Sequence, residues 1–153
     1  MRYLIVAALA LPALSSLQAQ TAAPADLSIA TPISGSWTYV PVANGSEARF
    51  SDSSARLQLT LRCTRATRKV SIAKPANGAV PNLTIWTSSM SRSIPASFNP
   101  ATGLATGEIA ATDPILDAVA FSRGRFAINA AGVPSLVLPP WADVARVVED
   151  CRA

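Results

Sequence analysis

The chain has 153 residues, which is the length of one ordinary domain. Its 13 basic residues exceed its 9 acidic residues by a formal charge of +4, a modest excess that does not indicate a nucleic-acid-binding protein. The sequence contains no histidine and only two cysteines, which removes imidazole as a base and with it most hydrolase triads and most zinc sites. We therefore expect a protein that is not an enzyme and that holds no metal or other cofactor.

The N-terminal residues MRYLIVAALALPALSSLQAQ predict a secretory signal peptide. Arg2 precedes an apolar run over 3–14, which is too short to span a bilayer and leads into small and polar residues. Cleavage is predicted after Ala19, so that 1–19 form the signal peptide, and no later segment is long and apolar enough to cross a membrane. The predicted location is periplasmic or secreted.

Beyond the predicted cleavage site, two regions differ in composition. Residues 20–34 are rich in Ala, Thr and Pro and predict a flexible lead-in, whereas 35–153 predict a single β-rich domain. The domain opens with the run GSWTYVPV, in which Pro41 favours an edge strand, and Asn44-Gly45 then predicts a tight hairpin turn.

The clearest strand signal is RLQLTLRC over 56–63, where every second residue is apolar and the series ends in Cys63. Because side chains alternate between the two faces of a strand, Cys63 is expected on the core side with the leucines. Further strands are predicted at RKVSIAKP (68–75), NLTIWTS (82–88), RSIPASF, GLATGEIAA, RFAIN and SLVLP.

The segment TDPILDAVAFSRG changes to helical spacing and predicts a short helix near 114–122. Asp113 is placed to cap this helix, Pro114 suits its first position and Gly124 is placed to end it. Several short strands separated by turn residues, followed by short helices, predict a mainly β fold. We expect either a small antiparallel β-sandwich or a partly open barrel.

The C-terminal stretch WADVARVVEDCRA predicts a second helix, on which Val144, Val147, Val148 and Cys151 share one face. A helix of about ten residues is marginal on its own, so this face is expected to dock on the sheet. Since Cys63 faces the same core, we predict a structural disulfide between Cys63 and Cys151 that staples the terminal helix to the sheet.

The motifs LTLRC, SRGRF and VVEDCR resemble small exported bacterial proteins of the invasion-associated locus B type. The resemblance extends over roughly residues 35–152 as an order of strand, helix leading into a strand, and terminal helix ending in cysteine. It implies a β-sandwich and an envelope location. None of the three motifs is a catalytic signature.

Arg123 and Arg125 flank a glycine in SRGRF and form the densest polar cluster of the sequence. Two neighbouring arginines can bind a carboxylate or phosphate through paired hydrogen bonds. The alternative is that they pair with Asp113, Asp117 or the acids of the terminal helix, and we favour this structural interpretation.

A second basic cluster, which includes Arg65 and Arg68, lies where one predicted strand turns into the next. It can contact an anionic glycan, lipid headgroups or an acidic partner, although a solvated hairpin edge is the interpretation that we favour. Trp86 lies on the opposite strand face from its apolar neighbours and is the best candidate for an exposed aromatic. The candidate binding surface therefore comprises Trp86, Arg123, Arg125, Arg65 and Arg68.

Without catalytic machinery, a binding role is the leading functional hypothesis: an exported domain that binds an unknown partner protein or an anionic envelope component, and not nucleic acid. One alternative is a structural or stress-related envelope protein with no specific ligand. Another is an inhibitor of a secreted hydrolase, which would use a protruding loop over 87–103.

Overall fold

The computed structural model describes residues 26–153. The predicted signal peptide over 1–19 and the first part of the predicted lead-in, 20–25, lie outside these residues. Within the described part, no helix is long and apolar enough to cross a membrane. The strands are β1 (Gly35–Val42), β2 (Gly45–Asp52), β3 (Leu57–Thr64), β4 (Lys69–Pro75), β5 (Asn82–Trp86), β6 (Ser91–Asn99), β7 (Leu104–Ala110), β8 (Phe126–Ala130) and β9 (Val133–Leu138); the helices are α1 (Pro114–Ala120) and α2 (Ala142–Arg152).

All nine strands join one antiparallel sheet with the order β1-β2-β3-β4-β7-β6-β5-β8-β9, which curls into a half-barrel. Strand β6 connects the two parts of the sheet because its first half, up to Pro95, pairs with β5 and its second half, from Ala96, pairs with β7. The predicted mainly β antiparallel fold is confirmed, and of the two predicted architectures the half-barrel matches the partly open barrel.

The curl of the sheet brings its two edge strands close together. Register shifts in β2 and β8 mark irregularities of the kind that increase strand twist. Just before β1, the Ile33 backbone N–H donates to the Val137 carbonyl of β9 at 3.0 Å, and the Trp37 indole Nε1 donates to the Pro139 carbonyl at 2.8 Å. Trp37 also stacks on Phe126, with 6.3 Å between ring centroids. The predicted edge position of the first strand is thereby confirmed.

The core fills the concave side of the half-barrel, and strand β3 shows how the sequence specifies this side. Leu59, Leu61 and Cys63 are buried, whereas the intervening residues are half-buried or exposed. This alternation confirms the predicted orientation of Cys63. Leu57 is the first residue of the strand and remains 38% exposed.

Helix α1 begins as predicted, since the Asp113 carboxylate accepts a hydrogen bond from the Ile115 backbone N–H at 3.0 Å. It ends at Ala120, two residues before the predicted end near 122, and Phe121 is its C-cap. Gly124 has a φ of +75° but lies beyond the helix, so it shapes the following loop rather than the helix end.

Helix α2 packs its apolar face on β1, β2 and β3, as its sequence predicted. The face consists of Val144, Val147, Val148 and Cys151, all buried. Cys151 forms the predicted disulfide with Cys63, with 5.3 Å between the two Cα atoms. Disulfides of this structural kind are found in proteins of oxidising compartments.

The expected protruding loop over 87–103 is wrong. Residues Ser91–Asn99 form β6, which lies inside the sheet between β5 and β7, and Ile94 contributes to the core. Only short turns remain on either side, and the first is closed by the Thr87 hydroxyl, which donates to the Met90 carbonyl at 2.8 Å. A strand paired on both edges is unavailable as an inhibitory loop.

Candidate binding surfaces

The connections between strands gather at the two ends of the half-barrel. The connection 65–68 links β3 to β4, and the connection 87–90 links β5 to β6. Because neighbouring strands of the sheet are antiparallel, both connections emerge at the same end, and the segment 121–125 enters β8 at that end too. We name these three segments the arginine end. The connections 53–56, 76–81 and 131–132 lie at the opposite end. The sheet thus brings the predicted arginines to one end of the molecule.

Arg123 and Arg125 line one depression of about 410 Å³ together with Asp26, Thr87 and Ser88, and the Asp26 carboxylate accepts from Ser28 rather than from either arginine. The Arg123 backbone N–H donates to the Ser88 hydroxyl at 3.1 Å, which ties the two loops together. The Arg125 guanidinium donates to the Ala30 carbonyl and so anchors the end of the lead-in. The two arginines therefore share a site, but Arg125 already has a structural role in it.

The predicted pairing of these two arginines with Asp113 or Asp117 is wrong. Asp113 pairs with Arg92 at 3.2 Å, and Asp117 pairs with Arg152 at 2.7 Å. The reason lies in the tertiary structure, because β6 and α2 bring their own arginines beside helix α1. Within residues 26–153, neither Arg123 nor Arg125 belongs to an ion pair.

Arg65 and Arg68 lie on the connection between β3 and β4, which forms a single 3-10 turn over Arg65–Thr67. The Tyr39 hydrogen bond is the main cause that lowers the pKa of Asp150, and the charge of Arg65 adds to this effect. Arg68 has left-handed backbone with a φ of +49°, and its side chain is exposed and in no ion pair with another described residue. Of these two arginines, Arg68 is the one whose charge is uncompensated.

Trp86 is less accessible than the sequence predicted. It is half-buried, and its indole Nε1 is enclosed without a hydrogen-bond acceptor among the described residues. Among the described residues, the exposed aromatics are Phe121, at 78%, and Trp141, at 45%. Phe121 belongs to the arginine end. The sequence analysis did not single it out, although its position at the C-terminal end of helix α1 could have indicated exposure.

Lys74 is a second residue that sequence reasoning missed. In VSIAKP it continues the alternation of Val70 and Ile72, and it therefore faces the inside of the half-barrel, where it is only 6% exposed. Burial lowers the pKa of Lys74, because the charged form loses its hydration. Counting polar as well as apolar residues along the strand would have found it.

A metal site and an activated nucleophile each require particular groups among the described residues. No group of three or more Cys, Asp or Glu that could hold a metal ion occurs among residues 26–153. The Ser122 hydroxyl lies 3.5 Å from the Ser88 hydroxyl and donates to the Arg125 carbonyl, and the Thr87 hydroxyl lies 3.5 Å from that of Ser89. No imidazole is present in the sequence to activate them. What this end of the molecule supplies is positive charge and hydrogen-bond donors.

No protein family, curated protein or solved structure matches this chain. The resemblance to proteins of the invasion-associated locus B type therefore stays a prediction.

Proposed function

We propose that this protein is a non-enzymatic domain of the periplasm or of the secreted fraction, which binds an anionic envelope component through its arginine end. The observation that carries the proposal concerns Arg68 and Arg123. They come from connections 55 positions apart in the chain, yet both lie at the same end without a carboxylate partner. Their charges are thus available to a ligand.

The distribution of the other charges supports this proposal. Most bases outside the arginine end are neutralised locally: Glu47 accepts from both Arg49 and Arg62, and Lys69 pairs with Glu108. Arginines without ion-pair partners at one end produce an asymmetric charge distribution, which orients that end toward an anionic surface. The disulfide fits the oxidising compartment in which an envelope component would be met.

A partner protein is a second candidate ligand, and Phe121 is the observation that favours it. This side chain is 78% exposed at the arginine end, and an aromatic beside arginines is typical of the centre of a protein–protein interface. A structural protein without a ligand would use neither feature. The inhibitor hypothesis lacks support because β6 replaces the loop on which it depended.

The test is co-sedimentation with vesicles of phosphatidylglycerol and phosphatidylcholine, compared with vesicles of phosphatidylcholine alone. A basic residue near an anionic membrane contributes about 1 kcal/mol, or about fivefold in affinity. The double variant Arg68→Gln/Arg123→Gln should therefore bind about 25-fold more weakly than the wild-type protein. Arg56→Gln is the matched control, because Arg56 is an exposed arginine at the opposite end.

Two results would contradict the proposal. One is that Arg56→Gln weakens vesicle binding as much for its one lost charge as the double variant does for each of its two. Binding would then depend on the net charge of the protein and not on the arginine end. The other is wild-type binding that does not depend on the anionic lipid. The partner-protein alternative replaces the proposal if the wild-type protein does not bind vesicles but captures a single protein, and if Phe121→Ser abolishes that capture.

A further inference from the structure

A groove of about 990 Å³ opens at the end of the half-barrel opposite the arginine end. Its lining includes the lead-in before β1, the turn between β2 and β3, the end of β4 and the start of β9. We name this the lysine groove, and its lining residues that matter here are Ile33, Leu57, Lys74, Pro75, Val133 and Leu136. A volume of this size is within the range of pockets that hold small organic ligands.

Lys74 is the unusual residue of the lysine groove. Only 6% of its surface is exposed, and it lines the groove from the inner face of β4. Among residues 26–153, its side chain has no hydrogen-bond acceptor and no ion-pair partner. A lysine side chain that is this buried and has no charged partner is unfavourable, and such a group in a cleft is a candidate for binding a ligand.

Asp52 is the carboxylate among the described residues that line the groove, and its hydrogen bonds are made to other groups. Asp52 accepts from the backbone N–H groups of Ser54 at 2.8 Å and Arg56 at 3.0 Å, and from the Gln58 side chain at 2.7 Å. These bonds turn the Asp52 carboxylate toward its own hairpin. The lysine groove therefore contains one positive charge that no described residue neutralises.

The lysine groove has a mixed lining, in which apolar side chains lie between polar ones. Leu57 keeps 38% of its surface exposed although it continues the inward-facing series of β3. Ile33 is partly buried against the core, and Leu136 lies on the β9 side of the groove. A ligand that fits has an anionic group at Lys74 and an apolar body along Leu57 and Leu136.

We infer that the lysine groove binds an organic monocarboxylate with an apolar chain, its carboxylate paired with Lys74. One buried ammonium neutralises one negative charge, so a singly charged carboxylate fits. A dianionic phosphate would bring a second negative charge into a groove that already contains the Asp52 carboxylate, and the other cation of the lining, Arg56, is paired with Asp52. The arginine end plays no part in this site, since it lies at the other end of the sheet.

The probe is decanoate at pH 7, below the concentration at which it forms micelles, titrated into the full-length protein by calorimetry. Decanol supplies the same chain without the charge, and acetate supplies the charge without the chain. Lys74→Met removes the ammonium while keeping an unbranched apolar side chain. Lys69→Met is the matched control, because Lys69 is exposed at the start of the same strand, away from the lysine groove.

We expect decanoate to bind the wild-type protein at least tenfold more tightly than decanol or acetate. Lys74→Met should weaken decanoate binding by about tenfold or more, the usual effect of a hydrogen bond to a charged group, and should leave decanol binding unchanged. Lys69→Met should change neither. Thermal unfolding of both variants shows whether each is folded during the titration.

Three outcomes would overturn the inference. The first is no decanoate binding by the folded wild-type protein, and the second is equal affinity of wild-type protein and folded Lys74→Met. The third is equal binding of decanoate and decanol, which would show an apolar groove without recognition of the carboxylate. Because Arg68→Gln/Arg123→Gln should bind decanoate normally, this test fails or succeeds independently of the proposal for the arginine end.

Discussion

Tyr39 on β1 and Asp150 on α2 are joined by a hydrogen bond of 2.6 Å from the tyrosine Oη to the carboxylate. The Arg146 guanidinium lies 4.0 Å from the centre of the same tyrosine ring, so that the edge strand holds the terminal helix through two polar contacts. The helix is thus fixed to the sheet on its polar side as well as through its buried valines and its disulfide.

This relationship gives a pH-dependent prediction. Tyr39→Phe keeps the ring under Arg146 but removes the hydrogen bond, and should lower the free energy of unfolding by about 0.5–1 kcal/mol at pH 7, since the pair is only half-buried. The hydrogen bond lowers the folded-state pKa of Asp150 below its ordinary 3.8. Its stabilising effect is therefore complete above pH 3.8 and is lost as the pH falls through the folded-state pKa.

Urea unfolding of wild-type protein and Tyr39→Phe at pH 7 and at a series of decreasing pH values below 3.8 measures this difference. The stability difference between the two proteins should shrink as the pH falls. A difference that persists unchanged in acid would assign the effect to packing of the ring edge instead of the carboxylate.

The disulfide should contribute more than any polar contact. The bond between Cys63 and Cys151 closes a loop of 88 positions, for which chain entropy predicts about 4–5 kcal/mol of stabilisation. The double variant Cys63→Ala/Cys151→Ala should lose most of this free energy of unfolding in a denaturant titration. Reduction of the wild-type protein should give a loss of similar size, whereas an unchanged unfolding midpoint in both experiments would refute the role of the bond as a staple.

Gly45, the first residue of β2, illustrates a steric requirement near the same disulfide. A Cβ atom at Gly45 would collide with the backbone carbonyl oxygen of Cys63 on the neighbouring strand. Gly45→Ala should therefore destabilise the protein by about 1–3 kcal/mol, because backbone has to move. Gly78→Ala is the control, since nothing lies within 4 Å of a Cβ there. Equal thermal unfolding midpoints of the two variants would contradict this account.

Lys74 should reduce stability at neutral pH. Its folded-state pKa is lowered from the ordinary 10.5 by burial, so folding releases a proton between the two values. The free energy of unfolding of the wild-type protein should rise with pH across that window. Lys74→Met should lack this rise and should be the more stable protein at pH 7, by about 1 kcal/mol for each pH unit by which the pKa is lowered.

Denaturant titrations from pH 7 to pH 10.5 measure this effect, and the Asp52 carboxylate of the lysine groove, whose pKa is lowered by its hydrogen bond from the Arg56 backbone, stays charged throughout that range. Lys69→Met, on the exposed part of the same strand, should follow the wild-type curve. Parallel curves for wild-type protein and Lys74→Met would show that burial does not perturb this lysine.

The sequence predicted the local structure well where one pattern was strong. Period-two alternation over β3 placed Cys63 on the core side, helical spacing placed Cys151 on the buried face of α2, and both were needed for the disulfide. Asp113 capped α1 because capping depends on the residues next to it. Such features depend on neighbours in the chain and can be read from them.

Features that depend on tertiary structure were missed. The strand at RSIPASF was predicted and is part of β6, but its position inside the sheet between β5 and β7 was missed, because only Ile94 of this segment is fully buried. The partners of Arg123 and Arg125 likewise depended on which arginines the fold brings to Asp113 and Asp117. Strand order, with β4 beside β7 and β5 beside β8, determines these contacts and has no local signature.

We propose the arginine end as the surface through which this protein binds an anionic envelope component. Hydrogen–deuterium exchange of the wild-type protein, with and without phosphatidylglycerol vesicles, tests it most directly. The account predicts slower exchange at 65–68 and 121–125, with 53–56 and 131–132 unchanged. Slower exchange confined to 53–56 and 131–132, or unchanged exchange everywhere in protein that sediments with the vesicles, would contradict it.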